Sequence, residues 1–280
     1  MDRNQALQHI VRQARAGELV FPTRMAATLR LQRLLGDPDC HLDQVADMVL
    51  AEPLVAARLV AIANSVAYTR FGGHVSNVRK AVSLLGFRPL RALVAVIVVR
   101  QLAEEIKDPR LKHQARLLWH HSAQVAALAK ILAREFTAID PDTAMFAGVI
   151  HEIDGFYLLS RAGELPELLA DTLDAGGHDS RASLSACILQ ALKVPPMIAT
   201  AVGALFADRC HIPPLTAGDI LLLANSLATA RSPLTEWAGP LPDKGSVGPE
   251  ADFKLEGKSL QGVLSDCTEE IQAVMDALLS

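Results

Sequence analysis

Four side chains are placed where they could do chemistry together: one of the adjacent pair His120 and His121, with His151, Glu152 and Asp154. Imidazoles and carboxylates converging on one point hold divalent cations or move protons. The histidine pair lies in a segment where Leu111, Ala115, Leu118, Val125, Ala129, Leu132 and Phe136 recur at three- and four-residue steps. With Leu118 at the zero of a helical wheel, Val125 falls near about −20°, His121 near about −60° and His120 near about 200°. His121 therefore faces inward and His120 faces solvent. The stretch around His151 is apolar on nearly every side (Met145, Phe146, Val149, Ile150, Ile153, Phe156, Tyr157, Leu158, Leu159). A helix of that kind belongs inside the protein. Burying its carboxylates costs several kcal/mol each unless they are paired or bind a metal. On a continuous helix His151 and Asp154 share a face, and Glu152 projects about 100° away. One inward histidine from a neighbouring helix and a His–carboxylate pair form the nucleus of a divalent metal site.

Helical periodicity dominates the elements that must hold these residues. The pattern predicts helices near 4–16, 23–35, 42–50, 53–65, 76–85, 88–105, 109–136, 141–160, 164–175, 180–192, 196–206, 216–231 and 259–279. Pro22, Pro53, Pro109, Pro141 and Pro196 suit first-turn positions. Asp140 can cap the helix that follows it, and Gly36 and Gly86 suit helix ends. The Val-rich run Leu93–Val99 has no partner strand in the sequence and is read as a buried helix. Thr235 to Gly257 brings Gly and Pro in quick succession and reads as a long mobile loop. The final helix carries Leu260, Val263, Leu264, Cys267, Ile271, Val274, Met275 and Leu278 on one face.

Composition narrows the class. Apolar residues make up 50% and charged residues 21% of 280 residues, which excludes global disorder. Aromatic residues are only 4%, so Ala, Leu, Val and Ile must fill the core. Mean hydropathy is +0.24, yet no apolar run reaches the roughly 18–20 residues of a spanning helix. Residues 1–18 have no apolar signal region. Cys40, Cys187, Cys210 and Cys267 form no CxxC pair, so reduced thiols in a cytoplasm are expected.

Charge is uneven. From Pro53 to Ala103 there is no Asp or Glu, while Arg58, Arg70, Arg79, Lys80, Arg88, Arg91 and Arg100 give a local balance of +7. The net charge of −4 leaves −4 − 7 = −11 for the remainder. Arg70, Arg79, Lys80, Arg88 and Arg91 are the candidate partner-binding patch, with intramolecular pairing of these arginines as the alternative. His41 to Ser65 mimics a helix-turn-helix, but Arg58 is the only base-edge reader on its second helix, which argues for core packing rather than DNA binding. No GxSxG, GxxxxGK[ST] or GxGxxG occurs.

HHSAQVAALAK followed about thirty residues on by AGVIHEIDGFYLL resembles the H…HD core of the HD phosphohydrolase superfamily. The preceding half is similar to one branch of it, the HDOD (HD-related output) domain. The shared marks are Glu52–Pro53 before a helix, the tripeptide Ala63, Asn64, Ser65, and the A-x-x-L-L-G turn from Ala81 to Gly86. The resemblance covers roughly residues 19 to 230 and implies an all-α, multi-helix fold. An N-terminal helical subdomain (19–106) packs on an HD-type one (107–234). Residues 1–18 form an N-terminal helix, 235–258 a loop and 259–280 a C-terminal helix.

The departures concern metal binding. Metal-binding relatives have Asp where Glu152 stands and Gly where Asp154 stands. Their last ligand, an Asp in an A-D context, corresponds to Asn225 in LLLANSLA. Asn is a weak ligand for a hard cation. The residual metal candidates are therefore His121, His151, Glu152, Asp154 and Asn225, and a hydrogen-bonded polar knot is the alternative role for the two histidines. The resemblance implies a non-catalytic signalling module of a bacterial cytoplasm that binds a protein partner. A metal-dependent phosphohydrolase of nucleotides or cyclic dinucleotides is the alternative. No cofactor, no membrane and no nucleic acid are expected, with a divalent metal and a cyclic dinucleotide as the ligands to test.

Overall fold

The computed structural model describes residues 2–279 except 22–24, 38, 52–54, 57–58, 61–62, 64–74, 76, 170–175, 193, 208–210, 235–252 and 256. The chain is all-α. The helices are α1 (Arg3–Arg15), α2 (Ala26–Leu35), α3 (Leu42–Leu50), α4 (Val78–Leu85), α5 (Phe87–Glu104), α6 (Pro109–Phe136), α7 (Pro141–Ile150), α8 (Ile153–Arg161), α9 (Gly176–Ala191), α10 (Pro196–Gly203) and α11 (Ala217–Leu227). A two-residue antiparallel hairpin, β1 (Lys254–Leu255) and β2 (Lys258–Ser259), leads into α12 (Leu260–Asp266) and α13 (Thr268–Leu279).

The starts of these helices follow from local chemistry. Asp108 accepts the Arg110 N–H at 2.7 Å ahead of Pro109. Asp140 accepts the Thr143 N–H at 3.0 Å ahead of Pro141. Each carboxylate satisfies orphan first-turn donors, and each proline takes a position that needs none. Gly86 ends α4 at φ 74°, in the left-handed region where a side chain would be strained. The Val-rich run is helical, within α5.

Several boundaries differ from the sequence reading. The helix expected over 141–160 breaks at His151 and Glu152, between α7 and α8. The helix expected over 216–231 stops at Leu227, because Ala228 turns extended (ψ 122°). The C-terminal helix breaks at Cys267. Of the helix expected over 164–175, the described part is a 3-10 turn, Pro166–Leu169. The end of the segment read as loop, 235–258, holds the hairpin, turned by Gly257 at φ 82°. Most of the helix expected over 53–65, and with it the helix-turn-helix mimic, lies outside the described residues.

Two compact units share the chain. The smaller contains Val20–Leu102 and Leu192–Val194. Its core packs Leu31, Val45, Val49, Leu59, Val82, Leu90, Val94 and Ile97. The larger contains Met1–Leu19, Ala103–Ala191 and Pro195–Ser280. There α6 is the central element, with α7, α11 and α13 against it, and α1 packs on α9. Gly148 sets the α6–α7 approach: a Cβ built there would lie 2.5 Å from Ala126 Cα and 2.8 Å from its nitrogen. Only glycine lets the two backbones come that close. Among the described residues no single helix is long and apolar enough to cross a membrane.

Candidate metal centre

The close α6–α7 contact brings His151, at the end of α7, to His121 on α6. Both are buried, at 1% and 3% exposure, while His120 is exposed as the wheel predicts. His151 Nδ1 lies 2.7 Å from the Gly148 carbonyl oxygen and His121 Nδ1 lies 2.6 Å from that of Ala230. A carbonyl only accepts, so each Nδ1 carries a proton and donates it. The two Nε2 atoms then face each other at 3.2 Å.

Glu152 completes the cluster because the chain leaves the helix at its position (φ −112°, ψ 34°). On a continuous helix its side chain would project away from His151. The turn instead brings Oε2 to 3.7 Å from His121 Nε2 and 3.9 Å from His151 Nε2. The other oxygen, Oε1, accepts the Ser232 hydroxyl at 2.7 Å. Oε2 is buried without a hydrogen-bond partner. Burial pushes the His151 imidazole down to about 4, with His121 acting in the same direction and Glu152 opposing both. His151 is thus neutral at pH 7, its Nε2 lone pair turned into the cluster.

Asp154 does not join the cluster, contrary to the sequence reading that put it on the His151 face. The break at 151–152 changes the register, and Asp154, with no exposure, receives Arg181 Nε at 2.6 Å. Burial raises the Asp154 carboxyl, with the Arg181 guanidinium opposing it. Arg181 was not foreseen, although a lone arginine in the small-residue helix RASLSACILQA is a usable signal for a buried counter-ion. Asn225 sits half-buried on α11 and makes no hydrogen bond to the cluster among the described residues.

The three remaining donors fit a divalent cation. Bonds of about 2.0–2.1 Å in tetrahedral geometry put donor atoms about 3.3–3.4 Å apart. The observed separations of 3.2, 3.7 and 3.9 Å bracket that edge. Two lone pairs and an orphaned carboxylate oxygen at such distances need a positive charge among them, a proton or a metal. Both Nδ1 protons are already committed to carbonyls, the outer-shell arrangement that orients metal-binding histidines.

Only part of the expected basic patch falls among the described side chains. Arg79 pairs with Asp43 and, at 3.5 Å, with Asp47. Both carboxylates stand on α3, just before the acid-free window read in the sequence, and α3 packs on α4. Arg91 is half-buried on α5 with its Nε enclosed and unpartnered. Lys80 is exposed. Arg70 and the Arg88 side chain lie outside the described residues.

The described residues are helical apart from one two-residue hairpin. The chain belongs to the HDOD domain family, whose model matches residues 21–194. It is similar in structure to a candidate metal-dependent phosphohydrolase from Shewanella amazonensis SB2B, with 20% identity, TM-score 0.65 and 99% of each chain covered. An HDOD domain protein from Geobacter sulfurreducens superposes with TM-score 0.55 at 20% identity, covering 98% of this chain and 97% of that one. A candidate signal transduction protein from Marinobacter aquaeolei VT8 gives TM-score 0.50 at 20% identity; 99% of this chain matches 64% of that one. At such identities the likeness is one of fold. No curated protein matches the chain.

Proposed function

We propose that this chain is a non-catalytic module of a cytoplasmic signalling pathway, acting by binding a protein partner. The observation that supports it is closure of the cluster. His121, His151 and Glu152 are 3%, 1% and 8% exposed, and Ala230 and Ser232 are hydrogen-bonded to His121 and Glu152. Metal-assisted hydrolysis needs a coordination position open to water and to the substrate phosphate. A cation held by three donors this deep would act as an internal clamp between α6 and the 151–152 turn. Membership of the HDOD family and likeness to a candidate signal transduction protein agree with this reading.

The donor spacing favours a second reading, a metal-dependent phosphohydrolase. His121, His151 and Glu152 would hold its cation, which would supply an activated water and offset phosphate charge. Turnover of nucleotides and cyclic dinucleotides with added Mn²⁺ separates the two. Background rates equal to those of His151→Ala support the non-catalytic module. Turnover that His151→Ala abolishes establishes the hydrolase instead.

A further inference from the structure

The segment after α11 leaves the helix at Ala228 and is hydrogen-bonded to His121, Gln124 and Glu152. Its hydrogen bonds among the described residues reach α6, the 151–152 turn and the segment's own backbone. Gln124 Oε1 accepts the Ala230 N–H at 2.8 Å, and Gln124 Nε2 donates to Thr229 Oγ1 at 2.9 Å. The Ala230 carbonyl takes the His121 Nδ1 proton at 2.6 Å. Ser232 donates to Glu152 at 2.7 Å and accepts the Leu234 N–H at 3.1 Å. Leu234 lies over Gly155, where a Cβ would stand 2.3 Å from Leu234 Cδ1.

We propose that residues 228–234 are a latch over the His121–His151–Glu152 cluster, and that Gln124 and Ser232 are positioning residues that set how often it opens. The proposal rests on the same closure that supports the proposed function. The latch carries the groups that orient two of the three donors. Lifting it takes the carbonyl from His121 and the hydroxyl from Glu152 and opens the two Nε2 atoms to solvent in one event. Entry or exit of a divalent cation therefore requires latch opening, and the affinity of the cluster depends on the latch being shut. The fastening is local. Gln124 stands one turn beyond His121 on α6 and hydrogen-bonds two consecutive latch residues, so it can be removed without touching a donor.

Diethyl pyrocarbonate tests this on the full chain without any metal, because it acylates an imidazole nitrogen only when solvent reaches it. Modification of each histidine is followed by peptide mass spectrometry, with the exposed neighbour His120 as internal reference. In the wild type, His121 and His151 should react far more slowly than His120. In Gln124→Ala both should react about tenfold faster relative to His120, the factor expected for two ordinary hydrogen bonds. Ser232→Ala should shift the same two sites in the same direction, and amide exchange at Ala230 should quicken in Gln124→Ala. Ile220→Val, a core change on α11 away from the latch, controls for general loosening. Three results overturn the latch: unchanged labelling in Gln124→Ala, an equal rise in Ile220→Val, or wild-type labelling already at the His120 rate. Labelling does not depend on turnover, so failure of the latch and failure of the non-catalytic reading are separate outcomes.

Discussion

Replacing Arg181 by methionine should be among the most damaging single changes in the larger unit. Arg181 is 7% exposed and donates Nε to a carboxylate with no exposure. The second carboxylate oxygen, Asp154 Oδ1, is buried without a partner, so no other donor stands ready to replace the guanidinium. Removing one member of a buried pair costs about 3–5 kcal/mol, because the other is left charged in a poorly solvating place. Uptake of a proton by Asp154 limits that cost, since burial already raises its carboxyl. Replacing both members removes the problem, and Asp154→Val with Arg181→Met should cost about 2 kcal/mol or more less than the sum of the single changes. Urea unfolding followed by tryptophan fluorescence suits the measurement. Trp119 packs edge-to-face on Phe156, two residues beyond Asp154, at 6.2 Å between ring centroids. The reasoning fails if Arg181→Met costs under about 1 kcal/mol, or if the double variant loses as much as the two singles added.

Gly148→Ala should destabilise the larger unit by about 1–3 kcal/mol or more, since its Cβ would overlap the Ala126 backbone; it should also separate His121 from His151, which weakened cation uptake would report. Asp219 accepts the His211, Leu215 and Thr216 N–H groups, and these outweigh burial to hold its carboxyl below the ordinary range. Its folded-state pKa is lower than its unfolded one, so its contribution is present above the unfolded pKa of about 3.9 and fades as pH falls through the folded value. Asp219→Asn should therefore flatten the acid limb of a stability–pH curve, and an unaltered limb would contradict the assignment. Arg79→Ala should change stability by less than about 1 kcal/mol, because both its pairs are solvent-exposed; thermal melts at low and high salt would show it.

Much of the helical framework was legible in the residues. Asp140–Pro141 marked a helix start because both effects are local: the carboxylate caps the first turn and the proline needs no partner there. His121 could be separated from His120 because inward and outward faces follow from a fixed angular step. The boundary at 150–153 could not be read in the same way. AGVIHEIDGFYLL is apolar on both sides of His151, Glu152 and Asp154, and periodicity carries no mark where one apolar helix ends and the next begins.

The sequence by itself determined an all-helical chain, an inward histidine on α6 and a buried histidine after α7, because periodicity, capping and burial cost act over a few residues. Tertiary structure alone decided which carboxylate meets those histidines. Glu152 enters the cluster through a backbone break, and Asp154 leaves it for Arg181, 27 residues along the chain. It also decided what covers the cluster. Ala230 and Ser232 stand 109 and 80 residues from the side chains they bind, and no local pattern encodes contacts at such separations. A buried donor or carboxylate is matched only by whatever group packing delivers to it, and that is fixed when the helices meet.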